Sequence, residues 1–273
     1  IDVRHTLTNL KKLHINSENA KNVFEVEYKG DIFTFEYRKI VVDNIVNDIS
    51  RLIKLEKQKA VPKKYTKFII PTNLNAIYDF FEVFLSCENV IGKDLINKKI
   101  FSNKLSLYTS LDFDDTKSEK YGILPFFDWE GSINVYCKNL LIENGIIQKP
   151  YADKTLAAKY QVENTACSYG VRDEFPCCVL LGAYINPSNE TLQELAGDGA
   201  VYIEQADISL KDDVVVINTK KAYLYEDGNL SEKVENFKVE INAYELFRDN
   251  FLGVSKDYIF GSDTKRGIVF ELK

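Results

Sequence analysis

The chain has 273 residues, 45% of them hydrophobic and 28% charged, which suits a globular protein with room for one large domain or two. A net charge of −6 and a pI near 5.2 argue against a nucleic-acid surface, because phosphate contacts need clustered Lys and Arg. No stretch approaches the roughly 20 apolar residues of a bilayer span, the start IDVRHT has no signal-peptide pattern, and five cysteines, an odd count in a large chain, favour a reducing cytoplasm.

In chain order, Phe24, Val26 and Tyr28, then Ile32, Phe33 and Phe35 around Lys29-Gly30-Asp31, read as a β-hairpin. The period changes over Ile40 to Leu55, where Ile45, Ile49, Leu52 and Ile53 share one face of a helix that Asp43 can cap. The run Lys54 to Lys67 is basic and reads as a solvated helix end and linker, broken at Val61-Pro62. Lys67 to Ile70 is a short apolar strand, followed by a helix from Asn73 towards Ser86, with Thr72 or Asn73 as its cap.

From Leu105 onward the chain is mainly β. Asn144-Gly145 lies between apolar runs, as a two-residue type I′ turn requires, and Asp227-Gly228 is a second hairpin of this kind. Tyr151 to Gln161 carries helix formers, with Leu156, Ala157 and Tyr160 at helical spacing. Cys177 to Ile185, a continuous apolar run, suits a buried strand; Leu192 to Ala196 and Tyr244 to Asn250 read as short helices. The expected fold is α+β: a partial N-terminal α/β domain over residues 1–66, then a β-rich domain, a sandwich or distorted barrel, over 67–273.

Among chemical groups, Asp128 and Glu130 are two apart, so an extended backbone would put both carboxylates on one face as an acid/base pair; an acidic turn that orders the backbone is the simpler reading. Cys177 and Cys178 are adjacent, so on a strand they point to opposite faces and cannot easily share an ion; with Cys87, Cys137 and Cys167 they read as buried small hydrophobes. There is no nucleophile elbow and no phosphate-cradling glycine loop.

The order of these segments resembles the TldD/PmbA family, and within it the PmbA branch, also called TldE. Phe127, Asp128, Glu130 and Gly131 match an F-D-x-E-G element. Ile142 to Gly145 match an I-E-N-G hairpin, Thr155, Ala157 and Lys159 a T-A-x-K-type helix, and Tyr184, Ile185 and Pro187 a Y-I-x-P segment. Val61-Pro62 with Tyr65 to Pro71 is similar to the lead into the central helix, and Asp114-Asp115 to an acidic pair upstream. Ala222 to Gly228 resembles the late hairpin, and Val239 to Phe251 the closing segment.

The resemblance implies a zinc peptidase framework, whose active branch carries a His-Glu-x-x-x-His helix and a late cysteine ligand. The corresponding helix here, NLNAIYDFFEVFL, has no histidine: Asp79, Phe80, Phe81, Glu82 and Phe84 occupy the metal-helix positions, the only histidines are His5 and His14, and no cysteine follows Phe260. The aromatic group reads as core, or as filling the space where an active relative holds its metal. The implied role is therefore a non-catalytic subunit of a TldD-type metallopeptidase complex, a homodimer or a heterodimer with a zinc-bearing mate, and no zinc of its own. An extended peptide would lie in a cleft with Asp128, Glu130, Gly131 and Tyr184 as candidate contacts. Alternatives are an active metallopeptidase with ligands not recognised in the sequence, and a homodimeric peptide-binding scaffold. The absence of methionine, and of the family's long N-terminal region, points to a truncated chain or one missing its methionines.

Overall fold

The computed structural model describes residues 22–28, 31–37, 42–55, 65–72, 74, 76–110, 128–133, 138–170, 176–211, 213–259, 262 and 265–272. Lys29-Gly30, Val61-Pro62, Asn73, Asp114-Asp115, Phe127, Cys137, both histidines and Phe260 fall outside these residues.

The N-terminal elements are a β-hairpin, β1 (Asn22–Tyr28) and β2 (Asp31–Tyr37), and α1 (Val42–Leu55). Asp43 lies within the first turn of α1, not ahead of it as a cap. The rest is built on a seven-stranded mixed sheet in the order β12-β11-β10-β3-β15-β14, with β13 also paired to β11. Its strands are β3 (Lys67–Pro71), β10 (Ala200–Lys211), β11 (Val214–Glu226), β12 (Asn229–Val234), β13 (Lys238–Asn242), β14 (Phe251–Tyr258) and β15 (Arg266–Glu271). β10, β11 and β12 form an antiparallel meander, β3 runs parallel to β10, and β15 pairs antiparallel with β3. The fold is α+β and β-rich, with few helices.

Period-two alternation sends the side chains of this sheet into two cores. Phe68, Ile70, Val201, Ile203, Ile268 and Phe270 face one side; Ile69, Ala200, Tyr202, Tyr223 and Val269 face the other. On the first side lie α2 (Ala76–Phe84), α3 (Cys87–Gly92) and α6 (Ala243–Phe247). With them is a four-stranded sheet of β4 (Leu107–Ser110), β5 (Lys138–Glu143), β6 (Ile146–Ile147) and β9 (Ala183–Ile185). On the second side α5 (Leu192–Ala196) packs beside Phe35 and Tyr37 of β2.

Both Asx-Gly hairpins form as read. Asn144 and Gly145 have φ of 48° and 80°, and Asp227 and Gly228 have 48° and 73°, the two left-handed residues a type I′ turn needs. Four elements differ from the sequence reading. The helix expected from Asn73 towards Ser86 is the shorter α2, Ala76–Phe84. The helix after Tyr151 is α4 (Lys154–Tyr160): Asp153 caps it by accepting from the Leu156 N–H at 2.7 Å, and Gln161 ends it in the left-handed region. The last helix is α6, capped by Asn242, and it stops short of Asn250. Cys177 to Ile185 is not one buried strand. It splits into β8 (Cys177–Cys178), a turn at Leu181-Gly182, and β9, because β8 leaves to pair with β7 (Ser168–Tyr169); Cys177 is exposed as a result.

Candidate functional site

The metal-helix positions lie on α2, whose inner face is aromatic. The Phe80 ring sits 5.3–6.0 Å from those of Phe81, Phe84, Phe101, Tyr244 and Phe247. Phe80, Phe81 and Phe84 are all buried, at 2%, 0% and 4% exposure, so they occupy the core and offer nothing to a ligand. The helix's acids point elsewhere. Asp79 is exposed, and the half-buried Glu82 carboxylate accepts a hydrogen bond from the Leu180 N–H. Burial, with the Asp79 charge adding to it, holds the Glu82 carboxyl above its ordinary value of 4.5.

The acidic turn is ordered by Asp128. Its carboxylate is buried and accepts from three backbone N–H groups: Glu130 at 3.0 Å and Ser132 at 2.7 Å on one oxygen, Ser168 at 3.1 Å on the other. Two more backbone bonds, Gly131 N–H to the Asp128 carbonyl and Trp129 N–H to the Ser168 carbonyl, close the turn and dock it on β7. Gly131 has φ of 71°, a conformation this tight loop requires of one residue. The Asp128 and Glu130 carboxylates have different partners: Glu130 turns to α4, accepting from the Lys154 N–H through its side chain and from the Lys154 ammonium through its carbonyl. Trp129 is 55% exposed and packs against Gly170, where a Cβ would lie 2.7 Å from the indole nitrogen.

Behind the turn a set of buried polar groups reaches back to α2. Thr165 bonds the Ala152 backbone in both directions, and Asn139 donates to the Thr109 hydroxyl and the Thr165 carbonyl. The Tyr151 hydroxyl donates to the Glu82 carbonyl at 2.9 Å, and the Cys87 thiol to the Tyr151 carbonyl at 3.2 Å. The Cys178 sulfur accepts from the Asp153 N–H. Burial raises the thiols of Cys87, Cys167 and Cys178, that of Cys167 to about 11, so these groups stay protonated near neutral pH and none is a ready nucleophile. Tyr151, Asp153, Thr165 and Ser168 were missed by the sequence reading. Only Asp153 had a signal, as an Asp just ahead of a helical period.

The remaining candidates lie in other neighbourhoods. Tyr184, on β9, is buried and stacks on Tyr108 of β4 at 5.5 Å, with the Lys138 ammonium 4.3 Å above the Tyr108 ring. Asn144-Gly145 is clamped by the loop 97–106: the Gly145 carbonyl accepts from the Ile100 and Phe101 N–H groups, and its own N–H donates to the Leu105 carbonyl.

The zinc carried by the active branch has no donor set on this helix. Among the described residues no three of His, Cys, Asp and Glu converge where they could hold a metal ion. The site's geometry is thus an acidic turn, an exposed indole and a short two-stranded ribbon, mounted on α4 and the C-terminal half of α2.

The family model for the PmbA/TldA metallopeptidase C-terminal domain matches residues 77–269, which include every candidate position above. Among solved structures, TldE from Thermococcus kodakarensis is similar with a TM-score of 0.67 at 20% identity, covering 90% of this chain and 60% of that one. A modulator of a DNA gyrase from Thermotoga maritima gives 0.64 at 17% identity, covering 88% and 57%. A modulator of DNA gyrase from Bacteroides thetaiotaomicron gives 0.61 at 15% identity, covering 90% and 57%. The chain therefore spans less than two thirds of the length of each, and these likenesses speak to fold. No curated protein matches.

Proposed function

Because this chain belongs to the TldD/PmbA family, we propose that it is a non-catalytic, PmbA/TldE-like subunit of a TldD-type metallopeptidase pair, helping to enclose a cleft for an extended peptide. The observation that carries this reading is α2. Where an active relative needs two histidines and a glutamate, this helix buries Phe80, Phe81 and Phe84 in an aromatic core, and its one half-buried acid, Glu82, is engaged by a backbone N–H. Three phenylalanines fill the inward face of this helix, where a pair of imidazoles would have to converge on a buried metal.

In this reading the zinc and the general base come from the mate. Strand-type backbone pairing suits a cleft that accepts many sequences, because backbone hydrogen bonds carry no side-chain preference. Asp128 would then act through the turn it orders, and Glu130, Gly131 and Trp129 would be the groups nearest a peptide on that side. Tyr184, buried against Tyr108, would contribute by shaping the β4–β9 sheet. The free thiols of Cys87, Cys167, Cys177 and Cys178 accord with a cytoplasmic location. Among the described residues no helix is long and apolar enough to cross a membrane.

The test is elemental analysis of protein purified without chelator or metal-affinity resin, alongside a peptidase assay with and without a relative that carries the His-Glu-x-x-x-His helix. The expected result is near-zero zinc and hydrolysis only with the mate. About one zinc per chain, or hydrolysis by this chain alone, would sink the proposal and return the search to an active metallopeptidase.

A further inference from the structure

Trp129 is the only tryptophan in the chain and leaves more than half of its surface in water, yet its turn is fixed from several sides. Its own N–H donates to the Ser168 carbonyl at 3.0 Å, and the Asp128 N–H closes the turn on the Ser132 carbonyl at 2.9 Å. The side chain is seated as well. A Cβ on Gly170 would lie 2.7, 2.8 and 2.9 Å from Nε1, Cε2 and Cδ1, so the pyrrole edge of the indole takes the space that a side chain at position 170 would need. Ser168 and Gly170 are buried, whereas Tyr169 and its cross-strand partner Cys177 are exposed. The indole therefore lies against the covered face of the β7–β8 ribbon, and alternation puts Tyr169 on the other face. Covering a glycine takes no more than a small apolar group. An indole held there in one orientation presents a rigid aromatic surface, which loses little entropy when something binds to it.

The neighbouring charges select the kind of guest. Glu130 and Lys154 are joined by two hydrogen bonds, at 3.3 and 2.7 Å. Glu163, beside the Asn164 that donates to the Ser132 hydroxyl, is paired with Lys149 at 2.6 Å. The Asp128 carboxylate is turned inward onto its three N–H groups. Among the described residues these charges come in opposite pairs or face the interior, so they favour neither a cationic nor an anionic ligand. Ile133, just past the turn, is 62% exposed and adds apolar surface to the same segment. The complement of such a surface is a flat apolar group, and an aromatic ring meets an indole favourably, stacked or edge-on, at centroid separations of about 4.5–7 Å.

We propose that Trp129 is a specificity subsite, which takes an aromatic side chain of an extended peptide lying across the Asp128 turn. The proposal rests on the peptide-cleft reading and adds a preference to it: backbone pairing accepts many sequences, and this indole favours those with an aromatic residue at one position.

The experiment uses the full chain without a mate. Because Trp129 is the sole tryptophan, emission excited apart from the tyrosines reports on this site alone. End-blocked peptides in which glycines flank a single Phe, Ala, Arg or Glu are titrated up to about 5 mM. The Phe peptide should shift the emission to shorter wavelength, saturably, and bind about tenfold tighter than the Ala peptide, with the Arg and Glu peptides no tighter than Ala. Gly170→Ala displaces the indole without removing it and should bring Phe binding down to the Ala level. Trp129→Ala, followed by calorimetry, should do the same with its circular dichroism unchanged, and Trp129→Phe should keep most of the preference. No saturable response, tighter binding of the Arg or Glu peptide, or a Phe preference that survives Trp129→Ala overturns the proposal. The titration needs neither zinc nor turnover, so its failure is separate from that of the subunit reading: bound zinc with the Phe preference intact sinks only the subunit role, and lost preference without zinc sinks only the subsite.

Discussion

Asp128 shows how much one buried carboxylate can organise. Three backbone N–H groups point at it from two separate segments, Glu130 and Ser132 in its own turn and Ser168 on β7. Asp128→Ala would leave all three donors, two of them buried, without this acceptor and should cost about 2–4 kcal/mol. Asp128→Asn can keep the two bonds to one oxygen but sets its amide against the Ser168 N–H, so about 1–2 kcal/mol is expected. Urea denaturation of both variants measures this, and equal stability of Asp128→Ala and the wild type would contradict the geometry. Glu82 makes a prediction of the opposite sign. Its carboxyl is held above 4.5 by burial, so the folded state favours the protonated form. Its contribution to stability is then fullest below pH 4.5 and declines as pH rises through the raised value. Glu82→Gln removes the charge and keeps an acceptor for Leu180. The variant should gain stability over the wild type at pH 7 but not at pH 4, by less than about 1 kcal/mol given the group's partial exposure. Chemical denaturation at the two pH values checks it. The acid pair at Asp128 and Glu130 was visible in the sequence, but the division of labour between them was not: which carboxylate turns inward depends on Ser168, forty residues on.

The two Asx-Gly hairpins separate local chemistry from its surroundings. Both have positive φ at both central residues, as the dipeptides alone announce. Their environments differ. A Cβ on Gly145 would lie 2.2 Å from the Phe101 carbonyl oxygen and 2.6 Å from that of Ser102, whereas on Gly228 its nearest neighbour is the Gln193 side-chain oxygen at 4.0 Å. Gly228→Ala should therefore cost only the left-handed penalty, about 1 kcal/mol. Gly145→Ala adds a clash with backbone that cannot step aside without breaking the Ile100 and Phe101 bonds, and should cost about 3 kcal/mol or more. Thermal unfolding of the pair would show it; matched losses would mean that the 97–106 loop yields freely. The helices were legible to similar depth. The apolar period placed α2, but its start at Ala76 depends on the turn bonds Leu74 N–H to Pro71 and Ile77 N–H to Leu74. The apolar run Cys177 to Ile185 misled, because hydrophobicity marks burial in some partner's company, and β8 finds a partner, β7, that leaves Cys177 in solvent.

For the whole molecule, strand order is the part that no local pattern announces. β3 lies between β10 and β15, and β15 joins it through Gly267↔Pro71 to Glu271↔Lys67, although most of the chain separates the two strands in sequence. Ile268, Val269 and Phe270 are buried on both faces, as the continuous run of a central strand requires. The same arrangement bears on the boundary expected at residues 66 and 67. A chain begun at residue 65 would keep every strand of the seven-stranded sheet and the whole first core, losing only Phe35, Tyr37 and the half-buried Ile49 from the second. If the boundary divides domains, this shortened chain should still unfold in one cooperative transition at a lower midpoint, since the second core loses two large buried side chains. A chain ended at residue 259 loses β15 from between β3 and β14, so both cores open and neither sheet half can close on the other. It should show no cooperative transition at all. Circular dichroism melts of the two truncations decide between a detachable N-terminal unit and a single one: loss of cooperativity in both would place residues 22–55 within the same folding unit as the sheet.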